Sequence, residues 1–199
     1  MERNDFLREC YIHEISEFNA GQLVFCDESA ANERVGDRKK VWGPKGEKRR
    51  NLLPFSRSER YSILPALTKA GFLCQEIVQG SFTVAMFFFS IPDTLLPRCN
   101  PYPARNGVLV MDNAQIHRHP LIRETIESAG CKLVMLPPYS PDFNPIELAF
   151  GVIKRWITRH YLEFAEAVVE GEMNLFFSFA LSTITEKQAE GFFRHCKYV

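Results

Sequence analysis

The chain has 199 residues, with 24 basic and 24 acidic side chains that cancel to zero formal charge, and 46% of its residues are hydrophobic. This composition supplies a buried core and excludes wholesale disorder, a histone-like basic tail and an acidic solvating protein, though a local basic patch stays open. Six cysteines, none in a Cys-x-x-Cys pair, exclude a zinc ribbon and a dense disulfide framework and read as buried thiols in a reducing compartment.

In chain order, residues 2–17 mix charges with Phe6, Leu7, Ile12 and Ile15 and predict a helix ended by Gly21. Leu23-Val24-Phe25-Cys26 is a short apolar run whose β-branched and aromatic content predicts a buried strand, stopped by Asp27. Residues 34–50 then carry eight basic side chains against Asp37 and Glu47, a local charge of +6. With the turn signal Trp42-Gly43-Pro44-Lys45-Gly46, this segment reads as a basic loop or hairpin. Two strands are expected at 61–67 and 72–78. The run 82–89 is too uniformly apolar for periodicity to separate helix from strand, and Pro92, Pro97, Pro101 and Pro103 predict a loop. Val108-Leu109-Val110-Met111 is another buried strand, again stopped by an aspartate, Asp112. A helix over 120–129, a strand over 131–136, a rigid proline-rich loop from Pro137 to Pro145, and a helix from Pro145 follow. Residues 163–199 read as helical with a break near 182–185.

The charged N-terminus lacks an apolar signal core. The longest apolar runs, 82–91 and 175–181, fall far short of the roughly 20 residues of a spanning helix. A soluble intracellular protein with no membrane partner is therefore expected. Alternating strands and helices predict an α/β layer fold with a central sheet, and the strands near 23, 108 and 131 are expected in its middle.

Ligands gather beyond the carboxyl ends of strands in such sheets. Asp27 and Asp112 each follow a strand, and Glu147 opens the helix after the proline-rich loop. Three converging carboxylates repel one another unless cations lie between them, and hard oxygen donors suit Mg²⁺ or Mn²⁺. Each residue also has a plainer reading. The two aspartates are turn or cap residues. Glu147 completes a capping box with Asn144 as N-cap and Pro145 as first helical residue, a role that competes with metal binding for one carboxylate.

Three blocks, LVFCDES at 23–29, GVLVMDNAQIH at 107–117 and LPPYSPDFNPIE at 136–147, resemble the catalytic domain of mariner-like DDE transposases. WGPKG at 42–46, FFRHCKY at 192–198 and the 34 residues between Asp112 and Glu147 are similar to one branch of that family. The resemblance implies a single DDE endonuclease domain over 1–199 with an RNase H-like fold, a mixed central sheet flanked by helices. It further implies that Asp27, Asp112 and Glu147 are catalytic and bind two Mg²⁺ or Mn²⁺ ions about 3.5–4 Å apart. DNA would be cut at an element's end, and the freed 3′ hydroxyl would attack target DNA.

Around these acids, Asn113 and His117 are candidate active-site neighbours. His117 either starts the next helix, the reading favoured here, or orients a neighbour or the phosphate. Strand alternation turns Glu28 away, and Asp142 is a substitute third acid. Arg38, Lys39, Lys40, Lys45, Lys48, Arg49 and Arg50 are expected to contact DNA phosphates. The alternatives are a solvated loop, a homodimer clamp of the kind seen in relatives, or a nuclear-import signal. Localisation is expected to be the nucleus in a eukaryote and otherwise the cytoplasm. The helix-turn-helix region that precedes the catalytic domain in such transposases is expected to be absent. A non-catalytic or domesticated DNA-binding and assembly module, and an RNase H-like or repair nuclease, are the competing functions.

Overall fold

The computed structural model describes residues 4–32 and 60–199. The basic segment 34–50, with Arg38, Lys39, Lys40, Lys45, Lys48, Arg49 and Arg50 and the WGPKG turn, lies outside them.

The first helix, α1 (Asp5–Ile15), starts where Asn4 accepts a hydrogen bond from the Leu7 amide. Strands β1 (Leu23–Cys26) and β2 (Ser29–Asn32) follow, interrupted at Asp27-Glu28, then β3 (Arg60–Thr68) and β4 (Gly71–Gln79). β4 pairs along the whole of β3, whereas β1 meets β3 at Leu67 and Ala66, and β2 meets it from Ile63 to Arg60. β1 and β2 therefore share the other edge of β3 in succession. The gap between them faces Leu64-Pro65, where a proline inside a sheet needs an irregularity in the ladder. β1 pairs in parallel with β5 (Val108–Met111), and β5 in parallel with β6 (Lys132–Met135). The spatial order is β4–β3–β1/β2–β5–β6, a mixed sheet.

Alternate residues send side chains to opposite faces. Leu23, Phe25, Val108 and Val110 pack into the larger core beneath α4 (Pro145–Arg159), α5 (Tyr161–Glu170), α6 (Met173–Ser182) and α7 (Glu186–His195). Val24, Cys26, Leu109 and Met111 pack on the other face against α2 (Val84–Ser90), α3 (Pro120–Ser128) and the helical stretch between α2 and β5. This is an RNase H-like α/β fold, a mixed sheet flanked by helices.

Four expectations need correction or completion. The ambiguous apolar run 82–89 is helical from Val84, with Thr83 capping the Met86 amide. The stretch expected as a loop is helical as far as Arg98, with Pro92 and Pro97 early in the π and 3₁₀ turns that continue from α2, and is a loop only from Cys99 on, around Pro101 and Pro103. β6 ends the sheet instead of lying within it. Leu133 and Val134 are buried by the helical layers above and below, and burial of that origin looks the same in sequence as a central position. β2 was unexpected, since Asp27 reads as the end of a strand.

The C-terminal break near 182–185 is present, where Thr185 and Gln188 form a capping box for α7, and a second break falls at Gly171, with φ of +72°. All six cysteines are free, and Cys26, Cys74, Cys131 and Cys196 are buried. Among the described residues no helix is long and apolar enough to cross a membrane.

Candidate active site

The parallel register of β1 and β5 sets Cys26 beside Met111, so the next residues, Asp27 and Asp112, leave neighbouring strands at the same level. By alternation both belong to the face that carries α4. The proline-rich loop returns from β6 to that face, and α4 begins at Pro145, placing Glu147 in its first turn. Asp27, Asp112, Asn113, Arg118, Asn144 and Glu147 line one cleft of about 440 Å³. Arg118, which the sequence reading passed over, is the one cationic side chain among the described residues of that lining.

The acids are held differently. Asp27 is buried; its Oδ2 accepts a hydrogen bond from Asn144 Nδ2 at 2.7 Å, and its Oδ1 accepts from the Glu28 amide at 2.7 Å. Burial pushes the Asp27 carboxyl up to about 7, the charges of Asp112 and Glu147 push the same way, and the Glu28 amide and His117 oppose them. Asp112 is half-buried, and its Oδ1 accepts from the Ala114 amide at 3.0 Å and lies 2.5 Å from His117 Nδ1. Burial works against its charge, but His117 and that amide outweigh burial and hold its carboxyl below the usual range. Glu147 is exposed at the cleft.

Asn144 precedes α4 but makes no side-chain cap bond, so the capping box that would occupy Glu147 is not formed. Its amide instead reaches across 117 positions to Asp27. Spacing alone suggested a cap, and nothing local in the sequence signals this longer reach.

His117 does not begin the following helix, which starts at Pro120 behind the cap residue His119. It is 1% exposed, packs against the Phe87 ring at 4.6 Å, and turns Nε2 to within 3.6 Å of Glu28 Oε1. Alternation does turn Glu28 to the opposite face, yet this brings it to the back of His117. The Glu28 oxygen and the His117 nitrogen are both buried without a hydrogen bond. The line Asp112–His117–Glu28 thus runs from the cleft into the second core. Asp142, expected as a substitute acid, pairs with Arg8 and does not line the cleft. Its position in a short 3₁₀ turn, Pro141–Phe143, directs it toward α1.

A metal site is implied by the chemistry of this lining, three carboxylates whose mutual repulsion already raises Asp27. The donors fit a hard cation in kind. Among the described residues no three His, Cys, Asp or Glu side chains stand close enough to hold one as oriented. Both Asp27 oxygens accept from protein donors and one Asp112 oxygen faces His117.

A family profile described as DDE superfamily endonuclease matches residues 22–169, most of the chain. The chain belongs to the DDE superfamily endonucleases. No curated protein matches it. Among solved structures, this DDE chain is similar to a pre-cleavage Mos1 transpososome, with 13% identity and a TM-score of 0.69 over 100% of this chain and 62% of that one. It is similar to the Mos1 strand transfer complex, with 14% identity and a TM-score of 0.69 over 98% and 60%. It also resembles the catalytic domain of Mos1 mariner transposase, with 14% identity and a TM-score of 0.61 over 96% and 87%. The DDE chain spans about six tenths of the two longer Mos1 chains, and at these identities the likeness establishes the fold.

Proposed function

We propose that this chain is the catalytic domain of a metal-dependent DNA endonuclease and strand transferase of the DDE transposase type. The observation that carries the reading is the convergence of Asp27, Asp112 and Glu147 on one cleft at the carboxyl ends of adjacent parallel strands. Similarity to Mos1 paired end complexes with Mn and with Mg supports it.

Asp27, Asp112 and Glu147 would hold two Mg²⁺ or Mn²⁺ ions, which when bound supply charge and Lewis acidity at the attacking and leaving oxygens of a phosphodiester. The protein's own part is positioning. Asn144 sets the direction of the Asp27 carboxylate, His117 fixes one oxygen of Asp112, and Arg118 faces the cleft where a DNA phosphate would lie. The oxygen of water would bond to phosphorus at an element's end as the P–O3′ bond breaks, leaving a 3′ hydroxyl and a 5′ phosphate. That hydroxyl forms the new bond to phosphorus in target DNA as the target's own 3′ oxygen departs. We assign Asn113 to the cleft wall, and the basic residues from Arg38 to Arg50 to DNA phosphates or to a second subunit.

The test is nicking of supercoiled DNA with Mg²⁺ or Mn²⁺ by wild type and by Asp112→Asn. Metal-dependent nicking lost in the variant is expected, and equal nicking by both rejects the assignment.

A second reading, a non-catalytic or domesticated DNA-binding and assembly module, is favoured by the engagement of both Asp27 oxygens with protein donors. It predicts salt-sensitive DNA binding without cutting. Changing Lys39, Lys40, Arg49 and Arg50 to alanine should weaken DNA binding under either reading. Unchanged affinity would remove the basic segment from both.

A further inference from the structure

The turn that carries Asn144 is gripped by two parts of the chain remote from it in sequence. From α1, the Arg8 guanidinium donates to both carboxylate oxygens of Asp142, at 3.0 and 2.5 Å, and its Cζ lies 4.0 Å from the centre of the Phe143 ring. Tyr11, one turn later, stacks on the same ring with centroids 5.3 Å apart. From the C-terminal end, the Tyr198 hydroxyl donates to the Phe143 carbonyl at 2.6 Å and meets the Tyr11 hydroxyl at 2.6 Å. Asp142, the Phe143 ring and the Phe143 backbone are thus each held, and the next residue is Asn144.

A guanidinium fork on a carboxylate fixes direction as well as distance, which a single hydrogen bond does not. The Arg8 side chain is 10% exposed but the Asp142 side chain is 51% exposed, so solvent screens the pair and its role is directional. The turn's own backbone contributes only the short bonds from Phe143 to Ser140 and from Asn144 to Pro141. Since Asn144 makes no helix-cap bond, the local chain gives its side chain no reason to point at Asp27.

We propose that Arg8, Tyr11, Asp142 and Tyr198 form a clamp of positioning residues that aims Asn144 at Asp27 and so sets the geometry of the acidic cleft. Its consequence for catalysis rests on the metal-dependent reading above; the clamp itself does not. The N-terminal helix and the C-terminal tail thereby become part of the site without touching it. The clamp also gives the Pro-Asp-Phe-Asn-Pro run a division of labour. Asp142 and Phe143 are handles, Asn144 is the part that reaches the cleft, and the prolines stiffen the connection.

The experiment is NMR of the Asn144 side-chain amide in wild type, Arg8→Ala, Asp142→Asn and the charge-swapped pair Arg8→Asp with Asp142→Arg. Ile126→Val, a small core change on the far face of the sheet, controls for general loss of stability. The amide signals should move toward free-amide positions in both single variants, return toward wild type in the swapped pair, and stay in place in Ile126→Val. The Mn²⁺ concentration for half-maximal nicking should rise about 10- to 100-fold in the single variants. Asn144 signals unmoved in both Arg8→Ala and Asp142→Asn would overturn the clamp, as would equal movement in Ile126→Val. The amide needs neither metal nor DNA, so a wild type that cuts nothing rejects the catalytic reading while the amide still decides the clamp.

Discussion

Asn144 Nδ2 lies 2.7 Å from Asp27 Oδ2, a side-chain bond between the turn before α4 and the end of β1. Both residues are largely buried at the wall of the cleft, so removing Asn144 takes a protein donor from an Asp27 oxygen that water reaches only from the cleft side. Asn144→Ala should therefore cost about 1–3 kcal/mol of stability, the usual penalty for stranding a buried polar group. Urea unfolding at pH 8 checks this. A midpoint equal to wild type would mean that the bond contributes nothing.

The metal-free protein should be less stable at higher pH. Burial and the neighbouring carboxylates raise the folded-state carboxyl of Asp27 from 3.8 to about 7. The folded protein then holds a proton that the unfolded chain gives up. The stabilisation is complete below about pH 4 and is lost as the pH rises through about 7. Melting temperatures in EDTA between pH 4 and 8 should show that decline, and Asp27→Asn should flatten it. An identical slope in the variant assigns the effect elsewhere.

His117 should carry a proton at neutral pH. Burial disfavours its charge, but Asp112 and Glu28 on opposite sides of the ring outweigh burial and raise it to about 9. Its contribution to stability is complete below 6.5 and disappears as the pH rises through about 9. Ring-proton NMR should give a midpoint well above 6.5, lowered by Glu28→Gln. A wild-type midpoint at the ordinary value would break the Asp112–His117–Glu28 line.

Two further substitutions separate core from surface. Phe193 is fully buried and meets Phe25 edge to face at 5.3 Å, so Phe193→Ala should cost about 3–5 kcal/mol. Arg123 makes an exposed pair with Glu127 one helical turn away and a long bond of 3.4 Å to the Leu133 carbonyl, so Arg123→Ala should cost no more than about 1 kcal/mol. Chemical denaturation of both variants measures the contrast, and similar losses would contradict the difference in burial between the two sites.

The sequence by itself determined most of the strands and helices, and that Asp27 and Asp112 each follow a buried strand; the register of β1 and β5 set them at one level. Apolar runs of four residues and helical spacing reflect burial directly. The motif blocks pointed to the DDE family and its RNase H-like fold before any coordinates. What stayed hidden depends on partners distant in the chain. β2 resumes after Asp27 because β3 offers an edge, 91–98 continues from α2 with its prolines early in the turns, and β6 is buried by helical layers and not by strands. Only the tertiary structure turned Asn144 from a helix cap into a donor for Asp27, sent Asp142 to Arg8, and put His117 behind Asp112. Asn144 stands where a helix cap is expected, and nothing near Asp142 or His117 in sequence names Arg8 or Glu28 as a partner. Which partner each side chain takes is decided when packing buries the polar groups and leaves them only the neighbours that the fold supplies.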